Sequence, residues 1–266
     1  MPEVQISQRS LFNQYQADLK KGIVHPFENV GHRVFSQFEE DGKILYLLAL
    51  IGMRNKTFIE IGSDDGLNSN AANLYFHFGY HGLFIDANQK AIERGKRFYA
   101  KHPHQYMYPP KFTCSKVSRE NINELIAQAG FEGEIDLLSI DIDGNDYWIW
   151  DALSQVDPNI VLIETHVEFG EENKVVPYDP NYSYPGKHPL YHGASPEAMK
   201  RLGESKGYTL VGANDLGFNF FFVKSSLLDN LLEGKTVEDI LWHCSHSEKV
   251  DGLEEIANWP FETPHP

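Results

Sequence analysis

Acidic side chains stand at the ends of four apolar runs in this 266-residue chain, where their types and spacing suit the binding of a small charged ligand. Thr57-Phe-Ile-Glu-Ile-Gly-Ser-Asp-Asp-Gly66 reads as a buried strand with Glu60 near its end, and Gly62 and Gly66 free the backbone for a tight turn into a helix. Gly82-Leu-Phe-Ile-Asp86 repeats the design, and a carboxylate there reaches both ribose hydroxyls when the second strand of a doubly wound sheet lies beside the first turn. Leu137-Leu-Ser-Ile-Asp-Ile-Asp-Gly-Asn-Asp-Tyr147 brings Asp141, Asp143 and Asp146 close together in sequence. Ile160-Val-Leu-Ile-Glu-Thr-His-Val-Glu168 adds Glu164 and His166, two apart and so on one face of an extended chain.

Charge decides which ligand the first turn suits. A dinucleotide fingerprint spaces three glycines G-x-G-x-x-G so that a pyrophosphate meets bare backbone at a helix N-terminus. Here the turn is G-x-x-x-G with Ser63-Asp64-Asp65 inside it, and two carboxylates beside a pyrophosphate repel it by roughly a few kcal/mol in a partly dry site. S-adenosylmethionine has no phosphate and carries a sulfonium and an ammonium, so the acidic turn favours it over NAD. Methyl transfer is an in-line displacement that needs alignment and exclusion of water. A hydroxyl acceptor also loses its proton, which asks for a base such as His166 or a carboxylate. The alternative is Mg²⁺ held by Asp141, Asp143 and Glu164, which would acidify the hydroxyl. Asn145 and Asp146 also suit capping of the helix that follows, whereas Asp141 lies too deep in its strand for that.

The elements that must position these residues alternate. Strands at 57–61, 82–86, 111–114, 135–141 and 159–165 are interleaved with helices at 67–78, 89–101, 119–129 and 146–154, and a helix at 195–206 precedes strands at 208–212 and 217–223. Repeated β-α units imply a parallel, doubly wound, Rossmann-like α/β sheet, and the short Ala213-Asn214-Asp215-Leu216 connection makes the last strand antiparallel. With 41% hydrophobic residues the chain buries one large core, organised as an N-terminal helical cap (1–55), a catalytic core (56–225) and a C-terminal helical tail (226–266). Helices at Ser10–Lys20 and Phe38–Met53 make up the cap. Residues 167–193, with four prolines and with Tyr178, Tyr182, Tyr184 and Tyr191, read as a lid over the acceptor; His192 falls at its mouth and Ser195 N-caps the next helix.

Composition excludes several classes. A net charge of −15 without basic stretches disfavours nucleic acid and points to a small or neutral acceptor. The longest apolar run, Ile44 to Met53, is about half of what a membrane span needs, and Met1 to Val24 has no apolar leader, so a cytoplasmic location is expected. Cys114 and Cys244 lack paired spacing, and Trp242-His-Cys-Ser-His246 lacks that of a zinc module. The helices before the first strand and the tail after Lys235 offer surface for a homodimer.

Together, Glu60-x-Gly62-x-x-x-Gly66, Asp86 with Asn88, Ser139-Ile-Asp141-Ile-Asp143-Gly144 and Val161-Leu-Ile-Glu164 resemble the FkbM-like group of class I S-adenosylmethionine-dependent methyltransferases, over about residues 36–225. Ser36-Gln37-Phe38-Glu39-Glu40-Asp41-Gly42 is similar to the segment preceding that group's core, and Gly207-Tyr-x-Leu-Val-Gly212 with Asn219-Phe-Phe-Phe-Val223 is similar to its closing hairpin. The resemblance implies a seven-stranded sheet with the last strand reversed. It implies that Glu60, Gly62, Ser63, Asp64 and Gly66 contact the methionine part, Asp86 with Ala87 the ribose, and Val117 or Ser118 the adenine edge. Gln37 and Asp41 would close over the cofactor, and Asp141 would face the sulfonium. One departure is that Asp64 stands where the group has its middle glycine. Relatives of this kind methylate hydroxyls of sugars, which makes a carbohydrate, glycan precursor or other small hydroxyl compound the expected acceptor, with Asp141, Asp143, His166 and His192 as catalytic candidates. The rivals are an NAD-dependent oxidoreductase and a non-catalytic member of the fold.

Overall fold

Seven apolar runs pair into one sheet in a computed structural model that describes residues 2–101, 109–228, 231–243 and 252–264. The strands are β1 (Thr57–Ile61), β2 (His81–Asp86), β3 (Lys111–Cys114), β4 (Gly133–Ile140), β5 (Val156–Glu164), β6 (Tyr208–Ala213) and β7 (Asn219–Lys224). Their order is β3-β2-β1-β4-β5-β7-β6, with β1 to β5 parallel and β7 antiparallel to both neighbours. The expected fold class, with its reversed last strand, is the one observed. Strand order switches direction between β1 and β4, which opens a crevice at their C-terminal ends. Ile61 pairs with Ile85 on one side and Ile140 on the other, so the next residues, Gly62, Asp86 and Asp141, meet at that edge.

Strand alternation feeds two cores. Ile59, Ile61, Leu83, Ile85, Leu138 and Ile140 pack against α4 (Ile122–Gln128), α5 (Asp146–Ala152) and α6 (Pro196–Ser205). Phe58, Leu137, Ile160, Leu162 and Phe221 face the other way, onto α2 (Glu40–Ile51). Every residue of α2 is buried, so this helix is a layer of the core as well as part of the segment preceding the first strand. Outside it lies α1 (Pro2–Lys20), longer than expected, where Gln5 Nε2 and Arg9 Nε donate to the His77 carbonyl at 3.2 and 3.1 Å.

The helix expected over 67–78 differs most from expectation. Residues 62–71 are irregular, and the helical stretch begins at Ala72 and ends in a π turn, Leu74–Phe78. The cause is Glu60, whose carboxylate accepts from Ser69 Oγ (2.6 Å) and from the Asn70 and Ala71 amides (both 3.1 Å), while Ser69 Oγ accepts from the Ala72 amide (3.1 Å). Amides of a first helical turn are thus bound by a strand side chain and its partner. α3 (Gln89–Tyr99) follows β2 as expected, N-capped by Asn88.

In the tail, α7 (Val237–His243) and α8 (Leu253–Ile256) are short, and Glu262 instead pairs with Val175 through two 2.9 Å backbone bonds. The Cys244–His246 part of the Trp242 motif lies outside the described residues. Among the described residues no helix is long and apolar enough to cross a membrane.

Asp136, fully buried on β4, holds the α2–β1 connection. Its carboxylate accepts from the amides of Arg54, Asn55 and Lys56 at 3.0–3.2 Å and from Tyr80 Oη at 2.7 Å. Asp136→Ala strands those donors in the interior, and we expect it to lower the unfolding free energy by about 3 kcal/mol, read from urea denaturation midpoints.

Candidate active site

A cleft of about 730 Å³ runs along the C-terminal edge of β1, β2 and β4, lined by Gly62, Asp64, Asp86, Ala87, Val117 and Asp141. Gln37 from the N-terminal segment and Tyr182, Ser183 and Tyr184 from the long loop complete its walls. Gly62 has φ +82°, and a Cβ there would lie 1.6 Å from the Asp141 carbonyl oxygen. The ends of β1 and β4 therefore cross with no room for a side chain. The amides of Gly62 and Ser63 both donate to the Ile85 carbonyl, at 2.9 and 3.2 Å, which ties the turn to β2.

Asp64, where a middle glycine was expected, takes the left-handed conformation that glycine favours, with φ +46°. Its amide donates to Asp86 Oδ2 at 2.8 Å and its carboxylate meets Arg94 Nη2 at 2.8 Å; Asp65 also pairs with Arg94, through Nε. The acidic turn is thus partly neutralised from α3, which weakens the charge repulsion that argued against a dinucleotide. Geometry argues it instead. The amides of Asn70, Ala71 and Ala72, which would have to greet a pyrophosphate, are occupied by Glu60 and Ser69.

Asp86 accepts from the Asn88 amide on Oδ1 (2.7 Å) and from the Asp64 amide on Oδ2 (2.8 Å). Each oxygen retains lone-pair capacity for a donor in the cleft. Between the two adenine-edge candidates, Val117 lines the cleft with Ser115 and Lys116. Ser118 does not, because its amide donates to Asn121 Oδ1 (2.8 Å) and its carbonyl accepts from Ile122 as α4 begins. Ser63 is buried behind the turn, and Gly66 packs against the Phe84 ring, so neither lines the cleft. Asp41 is also set back. Its Oδ2 accepts from the amides of Val34, Phe35 and Ser36 (2.7, 2.6 and 2.7 Å) and shapes the loop that carries Gln37 to the cleft. Glu60, with Glu40, Asn70 and Asp141, borders a recess of about 40 Å³ next to the cleft. Burial pushes the Glu60 carboxyl up to about 7 in spite of its three donors.

A second chamber, of about 270 Å³, adjoins the cleft and is lined by Asp143, Glu164, His166, Glu168, Tyr184 and His192 among others. Asp143 and Tyr184 line both spaces. Asp143 sits at φ +55° in a turn fixed by Asp146, whose two oxygens accept from the amides of Ile142 (2.8 Å) and Gly144 (2.9 Å). Asn145 makes no side-chain cap; its Nδ2 donates to the Asp179 carbonyl (2.9 Å) and ties down the long loop. One oxygen each of Asp141, Asp143 and Glu164 lies within 4.8 Å of the others. Burial, then the neighbouring carboxylates, raises Asp141 and Glu164 well above the ordinary range.

β5 ends at Glu164, and the Thr165 amide turns to the Phe218 carbonyl (2.7 Å), so Glu164 and His166 do not share a strand face. Both still reach the chamber. The His166 ring stacks on Phe169 with centroids 4.2 Å apart, and Glu168 Oε2 lies 2.7 Å from Nδ1. His192, 4.5 Å from His166 between centroids, is lowered to about 4 by burial and by His166, and is neutral at pH 7. The 167–193 segment is held by Trp148 Nε1 to the Val176 carbonyl (2.9 Å), by the Arg119 amide to Tyr178 Oη (3.0 Å) and by Tyr182, whose ring covers Gly144 and Gly186. Residues with no assigned role in the sequence reading join the site here: Arg94, Glu168, Lys116 and Asn68, besides the specific use of Tyr182 and Tyr184 as cleft wall.

Neither a protein-family model nor a curated protein sequence matches the chain. Among solved structures, the N-terminal domain of EvdMO1 with SAH bound is similar at a TM-score of 0.48 and 11% identity, over 81% of this chain and 95% of that one. A S-adenosylmethionine-dependent methyltransferase from Clostridium acetobutylicum is similar at 0.42 and 9% identity, over 80% and 97%. PKMT2 from Rickettsia typhi in complex with AdoHcy is similar at 0.33 and 15% identity over 49% of this chain, which spans 25% of its length.

Two outcomes follow from the geometry. Gly62→Ala must part β1 from β4 at the cleft, and we expect a melting temperature lowered by several degrees together with loss of ligand binding at the cleft. A carboxyl raised on folding binds its proton more tightly in the native state, so its contribution is full below its ordinary 4.5 and is lost as pH rises through about 7. The melting temperature of the wild type should therefore fall more steeply from pH 5 to pH 8 than that of Glu60→Gln.

Proposed function

We propose that this chain is a S-adenosylmethionine-dependent methyltransferase that methylates a hydroxyl of a carbohydrate, glycan precursor or other small molecule. The observation that carries the reading is the pair of adjoining spaces: a cleft at the strand-order switch, and a chamber sharing Asp143 and Tyr184 with it. Asp86, with lone pairs facing the cleft, suits a ribose, and the apolar Val117 beside Lys116 suits an adenine. The recess bordered by Glu60 and Asp141 suits the cationic methionine part, because a positive charge there stabilises carboxylates that burial, with neighbouring acids, raises. Occupied amides at residues 70–72 count against NAD and so against the oxidoreductase reading.

When bound, the cofactor supplies an electrophilic methyl group on a sulfonium. The protein's part is to align the acceptor oxygen, keep water out and remove the hydroxyl proton. His166 is the base in this reading: it is 5% exposed, its Nε2 has no hydrogen-bond partner among the described residues, and Glu168 stands beside Nδ1 to stabilise the imidazolium that forms. His192, with its lowered value, is a neutral polar wall and a weaker base. Mg²⁺ on Asp141, Asp143 and Glu164 is the alternative route to an acidified hydroxyl. The 167–193 loop acts as the lid, through Tyr182 and Tyr184.

Calorimetric titration tests the cofactor part. S-adenosylhomocysteine should bind and NADH should not, and Asp86→Ala should weaken binding about tenfold, the size of one or two lost hydrogen bonds. His166→Ala should lower turnover by about 10² to 10⁴ with cofactor affinity unchanged. Absence of S-adenosylhomocysteine binding overturns the proposal, and binding without turnover on any hydroxyl acceptor returns the non-catalytic reading.

A further inference from the structure

Two sets of carboxylates near the strand ends differ in what they touch. Asp41, Glu60, Asp86, Asp136 and Asp146 are each fed by backbone amides. Asp141, Asp143 and Glu164 converge at the wall between cleft and chamber, and among the described residues none of the three receives a side-chain or backbone donor. The chamber beyond them holds a further carboxylate, Glu168, and among the described residues no lysine or arginine lines it. His166 lines the same chamber at 5% exposure, with Nδ1 beside Glu168 Oε2 and with Nε2, among the described residues, lacking any hydrogen-bond partner.

We infer that the acceptor is an amino alcohol of the amino-sugar class, whose protonated amine seats among Asp143, Glu164 and Asp141 while a neighbouring hydroxyl faces His166. The inference rests on the methyltransferase reading and adds the substrate class. Three oxygens no more than 4.8 Å apart leave a centre about 2.8 Å or less from each, the length of a charge-assisted N–H···O bond. An ammonium has three donors for three acceptors, whereas a hydroxyl has one. The rest of the chamber, with Tyr184, Leu190, His192 and Phe218, offers ring faces and apolar edges to a compact organic body. A phosphorylated or nucleotide-linked sugar would bring anions to a wall without a cation. In the step itself the acceptor O–H proton passes to His166, the oxygen forms its bond to the methyl carbon, the sulfur–methyl bond breaks with its electron pair left on sulfur, and the amine stays protonated and unmethylated.

The test uses the full chain saturated with S-adenosylhomocysteine, titrated with glucosamine and galactosamine, with their N-acetylated counterparts and with glucose 6-phosphate, in EDTA and again in Mg²⁺. The amines should bind at least tenfold more tightly than their acetylated or phosphorylated counterparts in EDTA. Glu164→Gln should remove most of that preference while leaving the S-adenosylhomocysteine affinity intact, and Asp143→Asn, at an exposed position that tolerates its left-handed backbone as asparagine, guards against a folding defect in the first variant. No preference for the amines, or no binding by any of them, overturns the inference with the cofactor reading standing. A preference that appears only with Mg²⁺ overturns it in favour of a metal on the three carboxylates. Failure of S-adenosylhomocysteine to bind at the outset overturns the underlying reading instead.

Discussion

The bond between a carboxylate and the backbone amides of a neighbouring loop is the interaction on which this architecture depends. Asp136 gathers the amides of residues 54 to 56 ahead of β1, Asp41 those of 34 to 36, Glu60 those of 70 and 71, Asp146 those of 142 and 144, and Asp86 those of 64 and 88. Moving a carboxylate out of water costs several kcal/mol, and each charge-assisted amide bond returns about 1.5–3 kcal/mol, so two or three donors bring such a group near balance. What the fold gains is position. The loops that follow β1, β2 and β4 are each fixed by an acid on a strand or helix, not by their own regular structure.

Fixing the loops this way leaves the site with an unusual electrostatic starting point. Glu60 occupies amides that would otherwise make an anion-binding helix start, so the crevice at the strand-order switch faces its ligand with carboxylates and not with N–H groups. Beside them stand Asp141 and Glu164, raised by burial and then by neighbouring carboxylates. Titratable groups perturbed by burial and by like charges in a cleft mark a place where stability has been given up for binding. A cationic ligand is the occupant that reverses that loss, and this is the common ground of the cofactor reading and the acceptor class proposed above.

Much of this was legible in the sequence, and the exceptions share a cause. β1 has the bounds expected of it, and the β6–β7 hairpin follows from a short polar connection, because buried strands are written as local apolar runs with local punctuation. Asp86, Ala87 and Asp141 line the cleft since each ends or directly follows such a run, and Val117 lies just past the more exposed β3. The misreadings concern groups whose partners are distant in sequence. Asp64 and Asp65 read as a free negative turn because nothing in the chain marks Arg94 as their partner. The helix expected from residue 67 begins later because a carboxylate at the end of a strand and one in a cleft look alike until one sees which amides they bind. Glu168 was visible two residues after His166, but only the turn out of β5 brings the pair together.

The long loop shows why the chamber is harder to read from sequence than the cleft. Gly62, Asp86 and Asp141 owe their meeting to strand register, which sequence encodes over a few residues. Tyr182 owes its place to the absence of side chains at Gly144 and Gly186, to Asn145 holding Asp179, and to a tail residue, Glu262, pairing with Val175. Three separate parts of the chain, the turn after β4, the long loop and the tail, must therefore agree before the wall containing Tyr184 exists. Because Tyr184 belongs to both spaces and Tyr182 and Ser183 also wall the cleft, a change in that loop alters chamber and cleft together, whereas Gly62, Asp86 and Asp141 stay where strand register puts them.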